Sequence, residues 1–178
     1  FVGHIETAGI NLRQVLDDDK FGQVATHIDI DGALKKGNYP YIKAKGTVSR
    51  FDYNAYTFKN IDVDGTFDDG VFDGFLAIDD PNAKLDLRGR MDLLGKTHSA
   101  DVNAQVRHLN PSALGISDRW PNTSFDFDLL ANFVGNTINT AKGNFDIRNF
   151  AMTSDGTDYQ MDAFHIEGGN SDDGHYLG

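Results

Sequence analysis

The stretch Asn60–Asn82, NIDVDGTFDDGVFDGFLAIDDPN, is crowded with aspartates, and its segment DVDGTFD (Asp62–Asp68) has the outline of a calcium loop. The same residues also alternate apolar and polar. They form either an ion site or two strands that carry their acids on the wet face, and the choice decides the fold. Asp69-Gly70 is a strong two-residue hairpin signal, because a type I′ turn needs positive φ at both central positions. With the turn there, Phe67 faces Phe72, Gly65 faces Gly74, Val63 faces Leu76 and Ile61 faces Ile78. Asp62, Asp64, Asp68 and Asp73 fall on the other face. A slip of one residue would exchange the faces, so the register is strongly specified. Asp62 and Asp64 then lie roughly 6.5–7 Å apart along an extended strand. Calcium needs six to eight oxygens, usually from a loop folded back on itself. The third loop acid before the glycine and the later Glu of an EF-hand are missing. The aspartates read as solvent-face acids.

The same arithmetic runs onward. A turn in DDPNAK (Asp79–Lys84) sets Leu85 opposite Ile78, Leu87 opposite Leu76, Gly89 opposite Gly74 and Met91 opposite Phe72. A turn at Gly95-Lys96 sets Ala100 opposite Met91, Val102 opposite Gly89, Ala104 opposite Leu87 and Val106 opposite Leu85. Four strands share one apolar face, crossed by Gly65, Gly74 and Gly89. Phe125, Phe127, Leu129 and Phe133 of SFDFDLLANF (Ser124–Phe133) alternate in the same way and extend it. THIDID (Thr26–Asp31) alternates with Ile28 and Ile30 inward. GNFDIRNF (Gly143–Phe150) alternates and then slips, as at a bulge near Arg148–Asn149. Period-two alternation of this kind marks half-buried strands. The expected fold is all-β: an antiparallel meander of about nine or ten strands curled into an open hydrophobic groove. One short helix is expected over Asn11–Asp19, capped by Asn11, and a further turn over Asn110–Ile116. Residues 1–178 are expected to form a single segment of a longer protein.

The totals agree with a non-catalytic reading. The 178-residue chain has a net charge of −11, which argues against binding to nucleic acid, whose phosphates call for clustered Lys and Arg, and equally against docking by charge onto anionic lipid headgroups. It has no cysteine, so no thiol nucleophile, disulfide framework or Cys-based zinc site exists. GRMDLLGKT (Gly89–Thr97) imitates a phosphate loop, but five residues separate its glycines where four are needed, and it joins two strands. There is no G-x-S-x-G elbow. The six histidines make no H-x-H and no pair at helical spacing. No catalytic residue, metal ligand or cofactor site is expected. Trp120, in SDRWPN, reads as a packing residue under its loop.

A one-faced meander must close as a barrel, fold as a sandwich or curl into a trough. Successive short turns and matched glycines favour curling. A trough lined by Ile61, Val63, Phe67, Phe72, Leu76, Ile78, Leu85, Leu87, Met91, Val102, Val106, Phe125, Phe127, Leu129 and Phe133 suits acyl chains.

Three stretches carry a family resemblance: FVGHIETAGINLRQVLDDDKFGQV (1–24), IKAKGTVSRFDYNAYTFKNIDVDGTFDDGVFDGFLAIDDPNAKLDLRG (42–89) and NFDIRNFAMTSDGTDYQMDAFHIEG (144–168). They resemble the TamB-like proteins of the AsmA-like superfamily, in their Bacteroidetes-type versions. The resemblance implies a β-taco-like segment in the periplasmic portion of an inner-membrane-anchored protein of outer-membrane biogenesis. It implies a groove that conducts phospholipid between the two membranes. It also implies an alternative role, assisting outer-membrane protein assembly and secretion with an outer-membrane barrel partner of the TamA type. It carries no catalytic residues. A β-sandwich for adhesion or carbohydrate binding is the reading from another class.

Overall fold

The computed structural model describes residues 1–16, 19–33, 41–92, 97–135, 142–171 and 174–177. Within them the chain is a single antiparallel sheet whose eleven strands follow sequence order throughout. The strands are β1 (Val2–Asn11), β2 (Phe21–Ala33), β3 (Tyr41–Tyr53), β4 (Tyr56–Asp68), β5 (Val71–Asp80) and β6 (Ala83–Asp92). They continue as β7 (Ser99–Leu109), β8 (Thr123–Val134), β9 (Lys142–Ser154), β10 (Thr157–Ser171) and the short β11 (Gly174–Leu177). One helix, α1 (Leu12–Leu16), links β1 to β2. Asn11 caps it as expected, its Oδ1 accepting from the Arg13 amide at 3.1 Å. Asn110–Ile116 makes turns and no helix. The meander is open: β1 pairs only with β2, and β11 only with β10.

The hairpin that decides the fold has the register its sequence demands. Asp69 and Gly70 have φ of 51° and 87°, the two positive values a type I′ turn requires. Phe67 pairs with Phe72, Gly65 with Gly74, Val63 with Leu76 and Ile61 with Ile78. The arithmetic holds through β6 and β7, where Leu87 meets Leu76 and Ala104. The Gly95-Lys96 turn itself lies outside the described residues. The slip in β9 is a bulge: Asp126 pairs with Ala151 but Asp128 with Arg148, and Asn149 has φ of 50°.

Curvature comes from glycine. At Gly89 (φ 143°) a Cβ would sit 2.1 Å from the Asp101 carbonyl oxygen, and at Gly74 it would sit 2.4 Å from the Gly65 Cα. A side chain at either position would collide with the adjacent strand, so the matched glycines leave the open sheet free to curl with its apolar face on the concave side. Among the described residues no second sheet covers it. The accessible surface is 11366 Å², against about 8,600 Å² for a compact monomer of this mass. Leu114, in the β7–β8 loop, is buried. That loop ties one rim together. The Asn110 amide donates to the Asn82 carbonyl at 2.9 Å, and Asn54 Nδ2 donates to the Gly115 carbonyl at 3.2 Å. Asp80, 1% exposed, anchors the same rim, accepting from the Tyr56 hydroxyl and from the amides of Lys59 (3.0 Å) and Asn82 (2.9 Å). Burial first, and then the Asp80 carboxylate, push the Tyr56 phenol above its ordinary value.

Two stability predictions follow from this backbone. Gly89→Ala meets both a carbonyl and a left-handed φ, and should lower the urea midpoint by the equivalent of about 2 kcal/mol or more. Gly3→Ala, with nothing within 4 Å of its added Cβ, should be near neutral; equal effects at the two sites would contradict the collision at Gly89. Ala55 sits at φ 67° in the turn between Tyr53 and Tyr56, where an L side chain is strained. Ala55→Gly should stabilise by about 0.5–1 kcal/mol in the same assay, net of the extra freedom glycine gives the unfolded chain.

Candidate functional site: the concave face

Cross-strand pairing joins the inward residues into rows that run across the sheet. One row passes through Ile5, Ile28, Gly46, Val63, Leu76, Leu87, Ala104, Leu129, Ile147 and Phe164. A parallel row passes through Gly3, Ile30, Ala44, Gly65, Gly74, Gly89, Val102, Ala131, Phe145 and Ile166. Ten consecutive strands thus present small or apolar residues at every crossing.

The residues selected from sequence lie on this face. Ile61, Val63, Phe67, Phe72, Leu76, Ile78, Leu85, Leu87 and Met91 occupy adjoining rows of β4 to β6 and are half-buried. Val102 and Val106, on β7, are buried. Phe127, Leu129 and Phe133 pair with Val106, Ala104 and Ala100, so the extension to β8 has the expected parity. Phe125 pairs with Leu109 beyond a bulge, and Trp120 packs edge-on against it at 5.6 Å between ring centroids. Trp120 is 45% exposed while packing on Phe125, so it is a packing residue with one side open to water.

Sequence reasoning stopped short at both flanks. Ile42 and Val48 on β3, and Phe145, Ile147, Phe164 and Ile166 on β9 and β10, belong to the same face. Their alternation is visible in the sequence, but the long connections before β3 and β9 give no turn type from which to count register. Two aromatic clusters sit at the structured rim. Phe21 and Tyr53 are 5.1 Å apart, Tyr56 and Phe58 4.8 Å, and Phe150 and Phe164 6.0 Å. Further along β8 and β9, Phe133 stacks on Phe145 at 5.0 Å.

The convex face is the chemical opposite. The Asp62 and Asp64 side chains stand on it in mid-strand, where they cannot wrap an ion, and Asp64 pairs with Lys45 at 2.8 Å. That contact, mainly the hydrogen bond, pulls the Asp64 carboxyl below its ordinary value and raises the Lys45 ammonium. Asp73 meets Arg90 at 3.5 Å, and the Arg88 guanidinium lies 4.4 Å over the Phe75 ring. Asp128 receives Asn149 Nδ2 and Arg107 Nη2, each at 2.6 Å.

These features define a class of architecture: an open, single-layer β-trough with an apolar concave face and an acidic, ion-paired convex face. Comparisons with protein-family models, with curated proteins and with solved structures find no match to the chain.

The Asn149 bond, and then Arg107, hold the Asp128 carboxyl below the usual carboxylate range. Its contribution to stability is therefore present above the unfolded-state value and is lost as pH falls through the lower folded value. NMR titration should place the Asp128 midpoint below that of a free aspartate, and Asn149→Ala should move it upward. An unmoved midpoint would mean that the bulge does not position the amide.

Proposed function

We propose that this chain is a non-enzymatic segment of an envelope protein whose concave face shields the acyl chains of phospholipids as they pass between membranes. The carrying observation is the unbroken apolar face. It crosses ten strands, about 45 Å at roughly 4.8 Å per strand, and its footprint is of order 900 Å² if about 20 Å of each strand contributes. Soluble monomers rarely expose an apolar patch beyond about 300–600 Å². Each CH₂ withdrawn from water contributes about 0.8 kcal/mol. Half-shielding about fifteen methylenes therefore offsets about 6 kcal/mol of the cost of exposing an acyl chain. A headgroup would remain at the open side of the trough, in water. The acidic convex face, facing away, keeps the segment soluble and repels anionic membrane surfaces, so lipid would move along the trough without the sheet adhering to the bilayer. The TamB-like resemblance supports the same reading, including a periplasmic location and an outer-membrane barrel partner of the TamA type. The sandwich considered for adhesion or carbohydrate binding has no counterpart in a single sheet.

A photo-crosslinking residue at Leu76, on the central row, should capture phospholipid from vesicles, and one at Asp64, on the convex face, should not. Leu87→Asp should reduce transfer between donor and acceptor vesicles at least tenfold while the β-sheet circular dichroism persists. Absence of lipid at Leu76, or full transfer by a folded Leu87→Asp protein, would sink the proposal. Adducts of Leu76 with unfolded outer-membrane polypeptide in place of lipid would move the assembly role to the front.

A further inference from the structure

The convex face of β1 and β2 holds a side-chain constellation unrelated to the trough. Strand periodicity puts His4 and Glu6 on one face of β1, and His27 and Asp29 on the same face of β2. The register sets His4 opposite Asp29 and Glu6 opposite His27. The four residues therefore form a square of neighbours. The two imidazoles lie on its diagonal, with ring centroids 4.3 Å apart at an interplanar angle of 74°. One ligand atom from each of His4, Glu6 and His27 lies within 4.8 Å of the others.

The structure assigns to His4, Glu6 and His27 a divalent transition-metal site of the zinc class, supported by Asp29. Two imidazole nitrogens and one carboxylate oxygen are a common three-ligand set for zinc, with a fourth position left for water. Tetrahedral bonds of about 2.0–2.1 Å place ligand atoms about 3.4 Å apart. All three side chains are exposed, so they can close that gap by rotamer adjustment without disturbing a core. His4 Nδ1 is 2.8 Å from Asp29 Oδ1. With the Asp29 carboxylate accepting, that contact calls for the proton on Nδ1 and would leave Nε2 to the metal, the usual carboxylate–histidine support of a ligating ring. Asp29 is thus a positioning residue. On β3, Thr47 faces His27 and Lys45 faces Asp29. The Lys45 ammonium is paired with Asp64 at 2.8 Å, so this neighbouring cation is turned to another carboxylate. Calcium and magnesium, which want oxygen ligands, would be rejected. His165 and Asp146 make a similar exposed pair at 2.9 Å but belong to no such group among the described residues, and serve as an internal control.

The site was not evident in the sequence because its halves are twenty-odd residues apart. His4-Ile5-Glu6 and His27-Ile28-Asp29 become a set only when the β1–β2 register is known. Bound metal would link β1 to β2 across their convex face.

The test is a calorimetric titration of the untagged full chain with zinc chloride, with cobalt(II) spectra and histidine-ring NMR as parallel readouts. One metal per chain is expected, with a low-coordinate cobalt visible spectrum and perturbation of the His4 and His27 ring signals. His4→Ala and His27→Ala should each weaken binding at least tenfold. Asp29→Asn should weaken it about 10–100-fold, and His165→Ala should leave it unchanged. Absence of saturable binding, one metal per two chains, or unchanged affinity in His27→Ala would overturn the assignment. If a variant misfolds, the His4 and His27 ring signals of the unmutated chain still decide the matter: zinc that leaves them unmoved is bound elsewhere.

Discussion

Among the described residues, each interior strand of this single-layer sheet is held chiefly by its two neighbours. The register of each pair is therefore the constraint from which everything else in this protein derives. In a globular core, a side chain that loses one contact keeps several others. Here a one-residue slip between two strands would transfer every inward residue of all later strands to the acidic face. The chain resists this at intervals. Asp69-Gly70 fixes β4 to β5, and Asp155-Gly156 (φ 48° and 80°) fixes β9 to β10. Asp80 ties the β5–β6 turn to β4, accepting from the Asn82 amide in the turn and from the Lys59 amide on β4. Such a sheet behaves more like a repeat array than a globule, with stability the sum of neighbour terms.

The convex face contributes to the same end. Lys45–Asp64, Asp73–Arg90 and Arg107–Asp128 each span adjacent strands. Exposed pairs of this kind contribute little to stability individually. Their larger effect is on specificity, because a slipped register would put like charges opposite one another, as acids predominate on this face. The surplus of acid is tolerable on a convex surface, where outward curvature spreads the charges. On the concave side, curvature instead crowds side chains, which is why Ala, Gly and Val occupy the tightest positions: Val102, Ala104, Val106 and Ala131 are the buried part of the face.

The parts of the fold legible in the sequence were those with countable turns. From β4 to β7 the pairing follows from three turns and alternation, alternation alone carries the face onto β8, and all fifteen residues read as trough lining lie on that span. Three features defeat counting. Ser49, opposite the register shift between Ala25 and Thr26, and His108, at φ 53°, mark bulges that no residue type announces. The Asn54-Ala55 turn uses an alanine where glycine is the usual signal. The β1–β2 pairing depends on where the chain resumes after α1, which composition does not specify. The last of these concealed the His4–Glu6–His27 group. A chemistry-bearing cluster built across strands has no sequence spacing of its own until the register is known.

Curvature also bears on what a trough can do that a closed barrel cannot. A barrel of this many strands would satisfy both edges but seal the apolar face from lateral entry. A sandwich would bury the face against itself. Leaving the face half-exposed costs the chain stability that neither alternative would forgo, since apolar area open to water returns no hydrophobic free energy. The glycines that bend the sheet add to that cost, through the backbone freedom they release on unfolding. Both costs fall on the same surface and produce the same feature, a continuous apolar furrow open along its length. A surface maintained against two opposing terms is what the proposed lipid-shielding role would require, since an acyl chain needs only width and continuity, without any fixed polar partner.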